Sequence, residues 1–153
     1  MRTTVLTRGI AVLLLLPIFM TALAVLVKGY AAPGDGFSAG VIAGIGVLLQ
    51  YVAFGYRRAE RMLPVRVAPP LAVTGLVLSL LVAFVPVLLG RPVMTHFPPP
   101  GATVIHLGTL EIITAVLFDV GVFLLVLGFT VGVIGAIAHT IEEQAPEGEG
   151  EEQ

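Results

Sequence analysis

Residues 109–128 read TLEIITAVLFDVGVFLLVLG, an apolar run that carries two carboxylates, Glu111 and Asp119. An ionisable group in hydrocarbon is costly and is tolerated mainly where it faces protein or water, so each of these acids is a functional-site candidate. The run extends to residues 107–138, which as one straight helix would be about 48 Å long against a hydrocarbon core of about 30 Å. This last apolar segment is therefore overlong for one perpendicular span and must be tilted, broken or preceded by an extra short helix. Counting about 20 residues back from His139 places a span near residues 118–138, with Asp119 close to its outer boundary and Glu111 before it.

The same segment carries Gly121, Gly128, Gly132 and Gly135, one stripe of small residues in 100° steps, and Asp119 lies on roughly the opposite side. Small residues favour close helix packing and a carboxylate avoids lipid, so two opposite faces call for protein neighbours. Three further helices are too few to supply both on this reading, and the expectation is membership of a larger complex.

Outward from this segment the composition agrees. Of 153 residues 57% are hydrophobic and 12% charged, against about 25% charged in an ordinary soluble domain. Mean hydropathy is +1.03. The fold class is an all-α integral membrane protein with four transmembrane helices. Residues 1–141 form one transmembrane domain, and 142–153, with six of the ten acids, a disordered acidic cytoplasmic tail. Eight Lys and Arg against four acids leave the rest of the chain basic.

The first helix is the apolar run from Gly9 to Val27. Ala22-Leu23-Ala24 has the form of a signal cleavage site, but apolar Val25-Leu26-Val27 follows, so the segment reads as a span that is retained. The loop Ala31-Ala32-Pro33-Gly34-Asp35-Gly36-Phe37 suits a tight reversal. Asp35 is either a solvated turn residue or a contact to an ion or partner. The second helix, from about Phe37 to Gly55, has Gly36, Gly40 and Gly44 four apart as a packing face, and Gln50 as an interhelical hydrogen-bond donor.

Arg57, Arg58, Arg61 and Arg66 crowd the next loop around a single Glu60. With Arg2 and Arg8 they set six basic residues against Lys28 and Arg91 on the other side, which puts both termini in the cytoplasm. Contact with anionic lipid headgroups is expected there; a nucleic-acid partner is not, since the loop is juxtamembrane and has no interleaved aromatics. Pro69-Pro70 would start the third helix, Leu71 to about Leu89. His96 and His106, in and after the proline-rich loop that follows, are weaker candidates for proton or ion contact. No cofactor and no metal site is expected: there is no Cys, no Gly-rich phosphate loop and no His-Glu-x-x-His spacing, and nothing marks the chain as an enzyme.

Several strings together carry a resemblance: Ala32-Pro33-Gly34 to Phe37 followed by Ala39-Gly40, then Met94-Thr95-His96, then Thr109-Leu110-Glu111 leading to Phe118-Asp119-Val120-Gly121-Val122-Phe123. The chain resembles the MnhB family, the B-type component of multisubunit Mrp-type Na+/H+ antiporters, over its whole four-helix body. It departs from the family pattern at Asp35, where the loop usually has Gly, at Ala31, usually Asn, and at Phe123, often Tyr. The resemblance implies a small subunit of a proton-motive-force-driven complex that exchanges Na+ for H+ in a bacterial or archaeal cell membrane. Its bundle would pack against large proton-channel-like subunits related to those of respiratory complex I. Glu111 and Asp119 would then line an ion path or fix subunit contacts. A scaffold role and the membrane arm of a hydrogenase-like complex are the alternatives.

Overall fold

A computed structural model describes residues 5–28, 35–95, 97, 106–107, 110–111 and 114–144. Its helices are α1 (Val5–Lys28), α2 (Asp35–Phe54), the single turn α3 (Tyr56–Ala59), α4 (Leu63–Leu88) and α5 (Thr114–Gln144). β1 (His106–Leu107) and β2 (Leu110–Glu111) make one two-residue antiparallel pairing. α1, α2, α4 and α5 are each long and apolar enough to cross a bilayer. The protein is all-α and multi-pass, as the composition requires.

Two helix boundaries differ from the sequence expectation. α4 starts at Leu63 rather than Leu71, and Pro69 and Pro70 lie inside it. Pro64 takes the opening position, where a missing N–H costs nothing, and the close packing of the following turns on α5 holds the helix through the second pair of prolines. α5 is continuous over 31 residues, about 46 Å, so it outreaches the hydrocarbon core. It also runs through Glu142–Gln144, three residues into the segment expected to be tail; residues 145–153 lie outside the described set. Glu111 is not on this helix but on β2.

Glycines end two of the helices. Gly55, with φ +76°, closes α2, and Gly90, with φ +73°, closes α4. At Gly90 the N–H groups of Gly90 and Arg91 donate to the carbonyls of Val87 and Pro86 at 2.9 Å each. That is the Schellman pattern, for which a left-handed residue is required.

The four spanning helices stand in an open row, α1–α2–α5–α4, and not in a closed bundle: α1 packs on α2, α2 on α5 and α5 on α4, while α1 and α4 form no packed interface among the described residues. Lipid tails are as apolar as Leu, so close approach of backbones, not exclusion of water, holds such a row together. A Cβ added at Gly40 would meet Val126 Cβ at 2.8 Å, and one at Gly44 would meet Thr130 Cγ2 at 2.8 Å. On the other side of α5, a Cβ at Gly121 would meet Ser79 Oγ at 2.5 Å, and one at Gly128 the Ala68 carbonyl and Ala72 nitrogen of α4.

α5 thus presents one stripe, Asp119, Phe123, Val126 and Thr130, to α2, and a second, Gly121, Leu125 and Gly128, to α4. The stripes begin two residues apart, about 200° around the helix. The two faces identified from the sequence are real, but α2 and α4 cover both. The step from opposite faces to outside neighbours is therefore overturned, because the open row gives its inner helices two sibling interfaces each.

Candidate functional site

One end of the row gathers the acids picked out from the sequence. Asp119 lies in the second turn of α5 and is 7% exposed. Its backbone carbonyl abuts Gly36, where any Cβ would collide. Gly36 belongs to the first turn of α2, whose opening residue is Asp35. Asp119 is therefore buried beside a helix N-terminus, whose free N–H groups and macrodipole favour a neighbouring carboxylate. Asp35 is helical rather than a turn residue, half-buried, and at the same end as Asp119.

The chain before α5 is anchored there too. Thr114 N–H donates to the Phe97 carbonyl at 3.0 Å, and Phe97 N–H donates to Thr114 Oγ1 at 2.9 Å. The guanidinium of Arg91 lies over the Phe97 ring, 5.4 Å from its centre. In the short pairing that precedes α5, His106 stands opposite Glu111 in register, so two candidates separated in sequence share one rung. Phe37 is exposed. Pro33, Gly34 and His96 lie outside the described residues.

The opposite end holds a second polar group. Tyr51 Oη donates to Glu60 Oε1 at 2.6 Å, and both lie against Gly135 of α5, where a Cβ would come within 3.0 Å of the Tyr51 oxygen and 3.2 Å of Glu60 Oε1. Beside them is a cavity of about 160 Å³ lined by Tyr51, Glu60, Val65, Pro69, Gly132 and Gly135, among others. Gly132, expected to pack a helix, meets no atom within 4 Å of an added Cβ and instead borders this cavity. Arg57 pairs with Glu142, and the Tyr56 and His139 rings meet edge to face with centres 5.3 Å apart, which fastens the arginine loop to the end of α5. The Tyr56 phenol is pushed up from its ordinary range by desolvation, then by Glu60, Glu142 and Glu143.

Residues 6–132 match the family model described as "Domain related to MnhB subunit of Na+/H+ antiporter". The chain belongs to the MnhB family. The B-type Na(+)/H(+) antiporter subunit of Bacillus subtilis is 34% identical over 116 residues, 73% of this chain and 77% of that one. Its namesake from Alkalihalophilus pseudofirmus is 32% identical over 111 residues, 72% of this chain and 76% of that one. A probable K(+)/H(+) antiporter protein of Rhizobium meliloti, of the fused A/B type, is 33% identical over 120 residues, 78% of this chain, yet the match spans only 12% of that much longer protein.

Membership in MnhB makes the chain a component of a bacterial membrane transporter complex rather than an enzyme. The matched stretch includes both ends of the row, from α1 through most of α5. The Tyr51–Glu60 group was missed in the reading of the sequence, although one signal for it is present. Glu60 is the single acid in a loop of four arginines, and Tyr51, at the end of the preceding apolar run, is the phenol nearest to it along that helix. Among the described residues no group of three or more His, Cys, Asp or Glu is placed to hold a metal ion.

Proposed function

We propose that the chain is the B-type component of a multisubunit complex that exchanges Na+ or K+ for H+ across the cell membrane under the proton motive force. The observation that carries this reading is the family match over residues 6–132, which spans the buried Asp119 and the β1–β2 rung of His106 and Glu111. In this reading the arginine-loop end and both termini face the cytoplasm, by the excess of basic residues there. The acidic end faces out, with Asp119 at a polar path shared with a larger subunit. The fused A/B relative, in which a B-like stretch is part of one long chain, supports an A-type, proton-channel-like neighbour. The same relative supports K+ beside Na+ as the cargo.

A second reading is favoured by one observation: Asp119 is already enclosed by α2 of its own chain, as a purely structural acid would be. The two separate on Asp119→Asn in a strain without the native gene, with assembly followed by purification through a tag on the acidic tail. Large antiporter subunits should co-purify with wild type and variant alike. Growth in high sodium or potassium should be restored by wild type, and lost or cut at least about tenfold in Asp119→Asn, as expected for a lost transport carboxylate. Unimpaired growth of an assembled Asp119→Asn complex would leave the structural reading standing.

A further inference from the structure

We propose that Glu60 and Tyr51, with the main-chain carbonyl of Val65, form a binding site for a monovalent alkali cation in the cavity between the arginine-loop ends of α2, α4 and α5. The site lies about 24 Å along α5 from Asp119, sixteen residues on, and belongs to the opposite end of the row. Its position is that of a cation-loading or cation-releasing point, remote from the acids described above.

The chemistry of the lining selects the ligand. The carboxylate of Glu60 turns inward to accept from Tyr51 Oη at 2.6 Å. The arginines around it are engaged or exposed: Arg57 pairs with Glu142, Arg58 lies over the Phe54 ring, and Arg61 is exposed. The single negative charge lining the cavity is thus that of Glu60. A phenol that donates its hydrogen to a carboxylate keeps an oxygen lone pair for another partner. Pro69 has no N–H to offer the carbonyl of Val65, four residues earlier, and Val65 is buried and lines the same cavity. A buried carbonyl deprived of its helical donor needs another partner.

Carboxylate, phenol and carbonyl are hard oxygen ligands, suited to alkali cations. One carboxylate balances one positive charge, and an anion would be repelled by it. The cavity, about 160 Å³, admits a cation with a few waters. Gly132 and Gly135 keep it open, since a side chain at either position would point into it or against Tyr51 and Glu60.

The test uses the assembled complex and does not depend on transport. The chain has no cysteine, so Ala136→Cys, on the cavity wall, is a unique label in this chain. Its rate of reaction with a methanethiosulfonate is followed while NaCl, KCl or choline chloride is added. Na+ or K+ should slow labelling severalfold at concentrations where choline does not. Glu60→Gln should raise the half-protecting concentration about tenfold, the expected loss for one charge-assisted contact. Gly132→Leu, which fills the cavity and leaves Glu60 in place, should raise it as well; if the Glu60 variant fails to co-purify, the Gly132 variant decides. Equal protection by choline, or half-protection unchanged in an assembled variant, overturns the site. A purely structural Tyr51–Glu60 brace would move assembly or stability and leave cation protection untouched. A complex that binds the cation here but exchanges none for protons would strike the function proposed above and not this site.

Discussion

Gln50 is 1% exposed, and its amide is half satisfied. Nε2 donates to the Ala11 carbonyl of α1 at 2.8 Å, while Oε1 is buried without a hydrogen-bond partner. The donated bond agrees with the interhelical role read from the sequence. An interhelical hydrogen bond in a membrane averages about 0.6 kcal/mol, whereas a buried unsatisfied acceptor costs about 1–3 kcal/mol. Gln50→Leu should therefore leave the thermal midpoint of the purified complex unchanged or slightly raised, and Gln50→Glu should lower it. A drop of several degrees in Gln50→Leu would show that the bond to Ala11 outweighs the orphaned oxygen. Asp119 presents the converse case at this scale. Its presence in an apolar run is plain in the sequence; that its neighbour is the first turn of α2 is not, because contact between residues 36 and 119 depends on how distant helices pair.

The inner helices α2 and α5 are each gripped from two sides through small residues. At Gly128 the opposing atoms are backbone, the Ala68 carbonyl and Ala72 nitrogen, and they cannot step aside as a side chain can. Gly128→Ala should cost about 1–3 kcal/mol, the range for overpacking a filled interface, and lower the thermal midpoint or the yield of assembled complex. Gly9→Ala, where an added Cβ meets nothing within 4 Å, should stay within about 0.5 kcal/mol of wild type. Equal losses for both would mean that helix propensity, not the α4–α5 interface, sets the outcome. The exposed Arg57–Glu142 pair contributes about 0–1 kcal/mol at most, so its value lies in register more than stability. The glycine stripe of α2 was legible because it packs as a stripe. That of α5 was legible only in part: Gly121 and Gly128 face α4, while Gly132 borders a cavity that α5 shares with α2 and α4.

At the scale of the molecule, an open row has two broad apolar faces. Leu13, Leu16, Phe84 and Phe129 are among the large side chains left exposed, at home in lipid or against other subunits. The arginine loop lies at one end of the row and the acids at the other, so the orientation proposed from charge has a direct test. Because the chain has no cysteine, single cysteines can be placed at either end. Val93→Cys should react with a membrane-impermeant maleimide on intact cells, and Arg58→Cys only after permeabilisation. The reverse pattern would invert the topology and put Glu60, not Asp119, on the outer side.

The amino-acid sequence by itself determined the class of molecule, the number of spans, the family, and the presence of acids where lipid would refuse them. Those follow from hydrophobic run lengths and local strings, which need no knowledge of neighbours. Only the tertiary structure decided that the helices form a row, that α2 and α4 cover both faces of α5, that α4 continues through Pro69 and Pro70, and that Tyr51 and Glu60 close on Gly135. These depend on which helices lie side by side, and close packing in a membrane rewards a few small-residue contacts between distant segments that no single segment announces.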